Sequence, residues 1–189
     1  MPSILLSGPA AEPITLAEAK AHLRVEHDDD DDIIAALIAG SRIHVEAQTR
    51  RALITQSWRL VRDVWPESGF VAVLPVPLAA LDAARIYRAD GTTQAIDVAA
   101  FTVDRAAAPA RLGFTRGALP VPERAIAGIE IDVTCGYGDE PEDVPEPLRQ
   151  AIRLLVAHWY ENRGLVSGEV AVLPQTVAAL IAPYQVLAL

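Results

Sequence analysis

The chain has 189 residues, 51% of them hydrophobic, with a formal net charge of -9, one cysteine and 5% aromatic residues. This length suits one domain, or two small ones sharing a core, and it buries enough apolar surface to need no disulfide or structural metal. Cys135 alone excludes an internal disulfide framework, the acidic excess argues against tight binding to a nucleic-acid backbone, and no apolar run reaches the ~18 residues of a membrane span. The opening Met1-Pro2-Ser3-Ile4-Leu5-Leu6-Ser7 lacks the basic start of a signal peptide, so a soluble protein made in the cytoplasm is expected.

The first predicted element is a helix opened by Thr15, with Glu18 three residues on as the second half of a capping box. It is expected to run to about Val25. Asp28 to Asp32 follow as an unbroken acidic run, then a longer helix to about Arg51, with Ile34, Leu37, Ile38, Ser41 and Val45 at helical spacing. Ile33, Ala36, Gly40, Ile43 and Ala47 run alongside that stripe, and Arg42 and Glu46 stand one turn apart. The period then changes. Trp58–Trp65, Val71–Leu74, Ala84–Arg88, Phe101–Asp104 and Arg111–Phe114 have strand composition, and Asp90-Gly91 is a hairpin signal. Ile129 to Cys135 alternates without a fault, which places Ile129, Ile131, Val133 and Cys135 on one face. Helices return after Pro145-Glu146-Pro147, with Leu148, Ile152, Leu155 and Trp159 as a stripe and Gly164 as the expected stop. A short last helix, Pro174 to Ala182, ends at Pro183 before an apolar tail.

The expected fold class is therefore α+β: a four-helix bundle with a small antiparallel β domain inserted between its second and third helices. The segments are 12–54 for helices one and two, 55–140 for the β domain, 144–183 for helices three and four, and 184–189 for the tail.

Little in the sequence points to chemistry. Counted from Asp28 as an EF-hand loop, the required Gly and Glu positions hold Ile33 and Ala39, so the acidic run reads as a solvated turn. Cys135-Gly136-Tyr137-Gly138 lacks the Lys-Ser/Thr of a phosphate loop. Cys135 reads as a core residue, and a cysteine hydrolase would need a histidine that the spacing does not supply. His22, His27, His44 and His158 form no zinc pattern. No catalytic residue, metal or cofactor is expected. Trp58 and Trp159 read as packing residues, whereas Tyr184 in the apolar tail reads as an interface residue.

The order of elements resembles the head–tail connector (adaptor) proteins of long-tailed phages and gene transfer agents. The residues that carry the resemblance are Ile14 to Val25, Ser41 to Glu46 with Thr49 to Leu53, Trp58, Leu74 to Leu78, Tyr87 with Asp90-Gly91, Gly136 to Gly138, Val144-Pro145 and Ala157 to Arg163. The wide β segment is similar to the subgroup that carries it as an insertion. The resemblance implies a non-enzymatic ring, of twelve copies, docked beneath the portal at the head–tail junction of a virion or gene transfer agent particle. Its partners would be other copies of itself, the portal, a tail-side neck or stopper protein and passing double-stranded DNA, without sequence-specific binding and without membrane. It also implies that the tail reaches the portal, through Tyr184, Val186, Leu187 and Leu189. Relatives end their second helix with Gly after Thr; Arg50 in that place predicts a longer helix or one without a left-handed cap.

A ring needs two different faces on each subunit. The candidate interface residues are Arg42, Glu46, Arg50, Arg51, Arg149, Arg153 and Arg163, set against Asp28–Asp32 and Glu161. An acidic wall would let DNA slide without salt-sensitive adhesion. The alternative from a different class is a tail or baseplate accessory module whose β domain binds a ligand, with Trp65 as its exposed platform.

Overall fold

The computed structural model describes residues 3–162 and 174–187, and it divides into two compact units. A sheet unit collects residues 1–9, 55–137 and 186–189; a helical unit collects 10–54 and 138–185.

The sheet unit holds two antiparallel sheets. The larger is ordered β1-β2-β8-β4-β5, with β1 at Ser3–Ser7, β2 at Gln56–Arg62, β4 at Leu78–Tyr87, β5 at Thr93–Ile96 and β8 at Ile129–Cys135. The smaller is ordered β3-β7-β6, with β3 at Phe70–Val73, β6 at Thr102–Asp104 and β7 at Ala110–Gly113. β8 is central because its alternation gives it one fully apolar face: Ile129, Ile131, Val133 and Cys135 are all buried. That face meets Leu60 and Ala84, which flank Ile131 in the register of β2 and β4. The hairpin between β4 and β5 turns at Gly91, whose φ of +82° suits glycine, and Asp90 accepts from the backbone N–H and hydroxyl of Thr92.

β1 departs from the sequence reading, which left residues 3–7 outside any element. It pairs with β2 through Ser3↔Leu60, Ile4↔Arg59 and Leu5↔Trp58, then bulges before Ser7. Its Ile-Leu-Leu run carries no period-two signal, so only a partner strand some fifty residues away reveals it.

The helical unit contains α1 at Leu16–Leu23, α2 at Asp31–Thr49, α3 at Glu146–Glu161 and α4 at Gln175–Ile181. The capping box forms as expected: the Glu18 N–H donates to Thr15 Oγ1 over 3.1 Å and the Thr15 N–H donates to Glu18 Oε2 over 2.8 Å. α1 stops two residues earlier than expected because Arg24 takes a left-handed backbone, φ +59°. α2 likewise stops at Thr49. Arg50 adopts φ +56° and its N–H reaches the Glu46 carbonyl, so the left-handed cap survives without glycine and the expected longer helix is not found. α3 ends with Asn162, whose side chain donates to the His158 carbonyl over 2.7 Å; the stop expected at Gly164 lies outside the described residues. Pro183 sits in a 3-10 turn, Ala182–Tyr184, that continues α4. The core of this unit is Ile34, Ile38 and Val45 of α2, Leu148, Ile152, Leu155 and Val156 of α3, and Val177 and Ile181 of α4.

Candidate assembly interface

Composition and topology together separate the charge. The sheet unit has nine acidic and eight basic residues, whereas the helical unit has sixteen acidic and eight basic. Nearly all of the net charge of -9 belongs to the helical unit, most of it in the segments between its helices.

Within the helical unit most of the predicted interface arginines are tied down locally. Arg42 donates to Glu12 at 2.8 Å and to Glu46 at 2.9 Å, and Glu46 also accepts the Leu53 N–H. Arg149 donates to the Pro13 carbonyl at 3.0 Å and to Glu18 at 2.7 Å, and it pairs with Glu146 at 3.2 Å. Arg153 pairs with Glu146 and lies 3.6 Å from Glu18. Burial pushes the Glu18 carboxyl up, but the Thr15 hydrogen bonds and then Arg149 and Arg153 bring it below the usual glutamate range. Arg51 donates to the Tyr184 carbonyl at 2.7 Å, and its guanidinium lies 5.8 Å from the centre of the Tyr184 ring. Arg149 and Arg153 thus tie α3 to α1, Arg42 ties α2 to the segment before α1, and Arg51 ties the segment after α2 to the C-terminal turn. Arg50 is exposed, and Arg163 lies outside the described residues.

The acidic run is organised by the chain's one lysine. Lys20 reaches Asp28 at 2.6 Å and Asp31 at 2.7 Å; hydrogen bonds to both raise its pKa, and the same contact lowers that of Asp28. Tyr160 donates its hydroxyl to Asp30. Among the described residues no three His, Cys, Asp or Glu side chains converge as a metal site.

The tail residues diverge. Tyr184 is half-buried beneath Arg51, Val186 is buried, and Leu187 is 82% exposed. Leu189 lies outside the described residues.

The polar face of the large sheet carries a charge lattice that the sequence walk missed. Arg59 on β2 holds Asp132 on β8 through two bonds, at 2.7 and 3.0 Å, and Arg85 on β4 bridges Glu130 at 2.7 Å and Asp132 at 3.0 Å. Arg59 and then Arg85 hold the Asp132 carboxyl below the usual aspartate range, against the opposing effect of burial. Its signal was the alternation itself, which put Glu130 and Asp132 on one face of β8. Trp65 is not an open platform. Its Nε1 donates to the Pro120 carbonyl at 2.8 Å, and its ring packs 6.0 Å from Phe101 and 5.4 Å from Phe114. Cys135 is fully buried and burial pushes its thiol up to about 12, so it is not poised as a nucleophile. Gly136 has a φ of +141°, and a side chain on Gly138 would run into Asp143, so these glycines serve the turn.

Large apolar side chains are exposed at several places among the described residues, among them a strand edge and a helix flank. On the edge strand β1, Ile4, Leu5 and Leu6 are each close to half exposed. On α2, Ile33 and Ile43 are 43% and 57% exposed. Edge strands and solvent-facing helix flanks usually carry charge at such positions.

Residues 13–76 match the family model for phage gp6-like head–tail connector proteins. Solved structures match over the whole chain. One from the neck of an empty gene transfer agent particle, computed with C6 symmetry, has a TM-score of 0.84 at 25% identity, covering 100% of this chain and 97% of the other. A chain from a native gene transfer agent virion gives the same figures. This chain is similar to head–tail connector proteins. A third structure, the neck of a native particle computed with C12 symmetry, has a TM-score of 0.81 at 26% identity, again over 100% and 97% of the two chains. No curated protein matches this chain. The chain is α+β, with four helices among the described residues and antiparallel sheets.

Proposed function

We propose that this chain is a head–tail connector, a structural protein and not an enzyme, which forms a ring at the head–tail junction, beneath the portal, and continues the DNA channel toward the tail. The observation that carries the reading is the full-length likeness to a neck chain resolved under C12 symmetry. The fold then serves as a connector bundle, built from α1–α2 and α3–α4, with the β segment between them as an insertion. The segregation of acidic residues into the helical unit supports a channel lining that repels the DNA backbone, which spares passing DNA the counterion-releasing contacts that make adhesion strong. Arg50 and Arg163 remain interface candidates on the bundle, and Tyr184 with Leu187 and Leu189 remain candidates for reaching the portal. The portal and a tail-side neck or stopper protein are the partners in this reading.

Leu187 is the tail residue best suited to a test, because its exposure means that changing it leaves the fold intact. Particles assembled with Leu187→Asp are expected to show heads that lose DNA and lack tails, counted by electron microscopy. Normal tailed particles from this variant would refute portal docking by the tail. A purified complex with the portal that shows no ring density would refute the ring.

A further inference from the structure

α2 is apolar on two opposite sides. One side, with Ile34, Ile38, Ser41, Val45 and Thr49, is buried in the helical unit. On the other, Ile33, Ala36, Gly40, Ile43 and Ala47 recur at alternating intervals of three and four, the spacing of a helix–helix seam. Ile33, Ala36, Ile43 and Ala47 are exposed, while Gly40 is partly covered by the Trp159 ring. The charged residues along this stretch, Arg42 and Glu46, are drawn to Glu12 and to each other and leave the outward stripe uncharged. From Ile33 to Ala47 the stripe spans ~21 Å at the helical rise. A helix that is apolar on both sides is one that is covered on both sides.

The charge of the unit constrains what covers it. With sixteen acidic residues against eight basic ones, two copies escape like-charge repulsion where both surfaces lack charge. α4, Gln175–Ile181, has no charged residue, and its Ala178 and Ala179, with Ala182 beyond its end, are exposed. We infer that the outward face of α2 packs against the outward face of α4 in a second copy. The isoleucines of one surface then sit over the alanines of the other, where small side chains permit close approach. The two surfaces differ, so each copy offers one of each and the contact propagates around a ring instead of ending at a dimer. This inference rests on the ring reading and names the surfaces that would build it.

The test uses the full-length chain, alone and with its cognate portal, followed by native mass spectrometry and negative-stain microscopy. Ile43→Glu and Ala179→Glu are compared with wild type and with Val121→Glu, a substitution at a 75% exposed site in the sheet unit. All three variants are expected to melt like wild type, since each site is exposed. Wild type and Val121→Glu should form rings, while Ile43→Glu and Ala179→Glu lose at least tenfold of the ring fraction. A doubly substituted Ile43→Cys, Ala179→Cys chain should oxidise into a ladder of oligomers, and Ile43→Cys alone should not cross-link. Wild-type rings accompanied by normal Ile43→Glu rings would overturn the inference and leave the ring reading standing. So would dimers from Ile43→Cys alone, or Ile43→Glu rings that fail only to join another protein. Absence of wild-type rings under both conditions would overturn the ring reading and the inference with it.

Discussion

The two units of this protein handle charge in opposite ways. The sheet unit is close to neutral, and its ionic residues close on one another: Arg59, Arg85, Glu130 and Asp132 form a lattice across three strands. The helical unit is strongly acidic, Arg149 and Arg153 link α3 to α1, and α2 turns an uncharged face outward. The sheet unit thus nearly balances its charges, while the helical unit carries both a net field and an uncovered apolar stripe. Such a division suits a ring subunit, in which one region sets the channel field and the subunit contacts and the other is a self-contained body.

Core substitutions should strike both units hardest, and so they set the scale. Leu148→Ala in α3 and Ile131→Ala in β8, both at fully buried sites, are each expected to cost about 2–5 kcal/mol in denaturant unfolding. If the units unfold separately, each substitution should move only its own transition. A shift of both together would show that the two form a single cooperative body.

Breaking the lattice comes next. Asp132→Ala leaves Arg59 and Arg85 short of acceptors on a half-buried face, with an expected loss of about 1–2 kcal/mol. Removing both Arg59 and Asp132 should cost less than the sum of the single changes, read in a double-mutant cycle. Additive losses would show that the lattice is not a coupled unit.

Acid should weaken both units through different residues. Asp132 in the sheet unit and Glu18 in the helical unit have folded pKa values below their ordinary ones, so each contributes stability that is complete above the unfolded pKa and is lost as pH falls through the folded one. Unfolding curves between pH 7 and pH 2 should show stability falling below about pH 4. Asp132→Asn should flatten that fall in the sheet unit. An unchanged slope would remove Asp132 from the account.

The smallest effect concerns the α2 cap. Arg50 holds a left-handed backbone that glycine adopts without strain, so Arg50→Gly is expected to raise stability by about 0.5–1 kcal/mol. A loss of stability would mean that the arginine side chain contributes more than its backbone strain costs.

Local signals were legible in the sequence wherever a residue's partner lay within a few positions. The Thr15–Glu18 capping box, the faultless alternation of β8 and the Asp90-Gly91 hairpin all appear where their spacing put them. Signals that depend on distant partners were not legible. β1 has apolar residues on both faces and shows no period, and only its pairing with β2 defines it. Arg149 reads as a free surface charge until the fold brings Glu18, 131 positions away, to within 2.7 Å. The early stops of α1 and α2 arise from left-handed arginines, a conformation that residue type alone argues against. The second apolar stripe of α2 was visible in the spacing, but only its exposure gives it meaning.

The central claim is that this chain forms the ring that joins head to tail, and electron microscopy of the neck in assembled particles tests it most directly. The account predicts a ring of twelve copies of this chain between portal and tail, with the acidic helical unit facing the channel. Particles whose neck lacks this chain, or which carry it as single copies elsewhere on the tail, would contradict it.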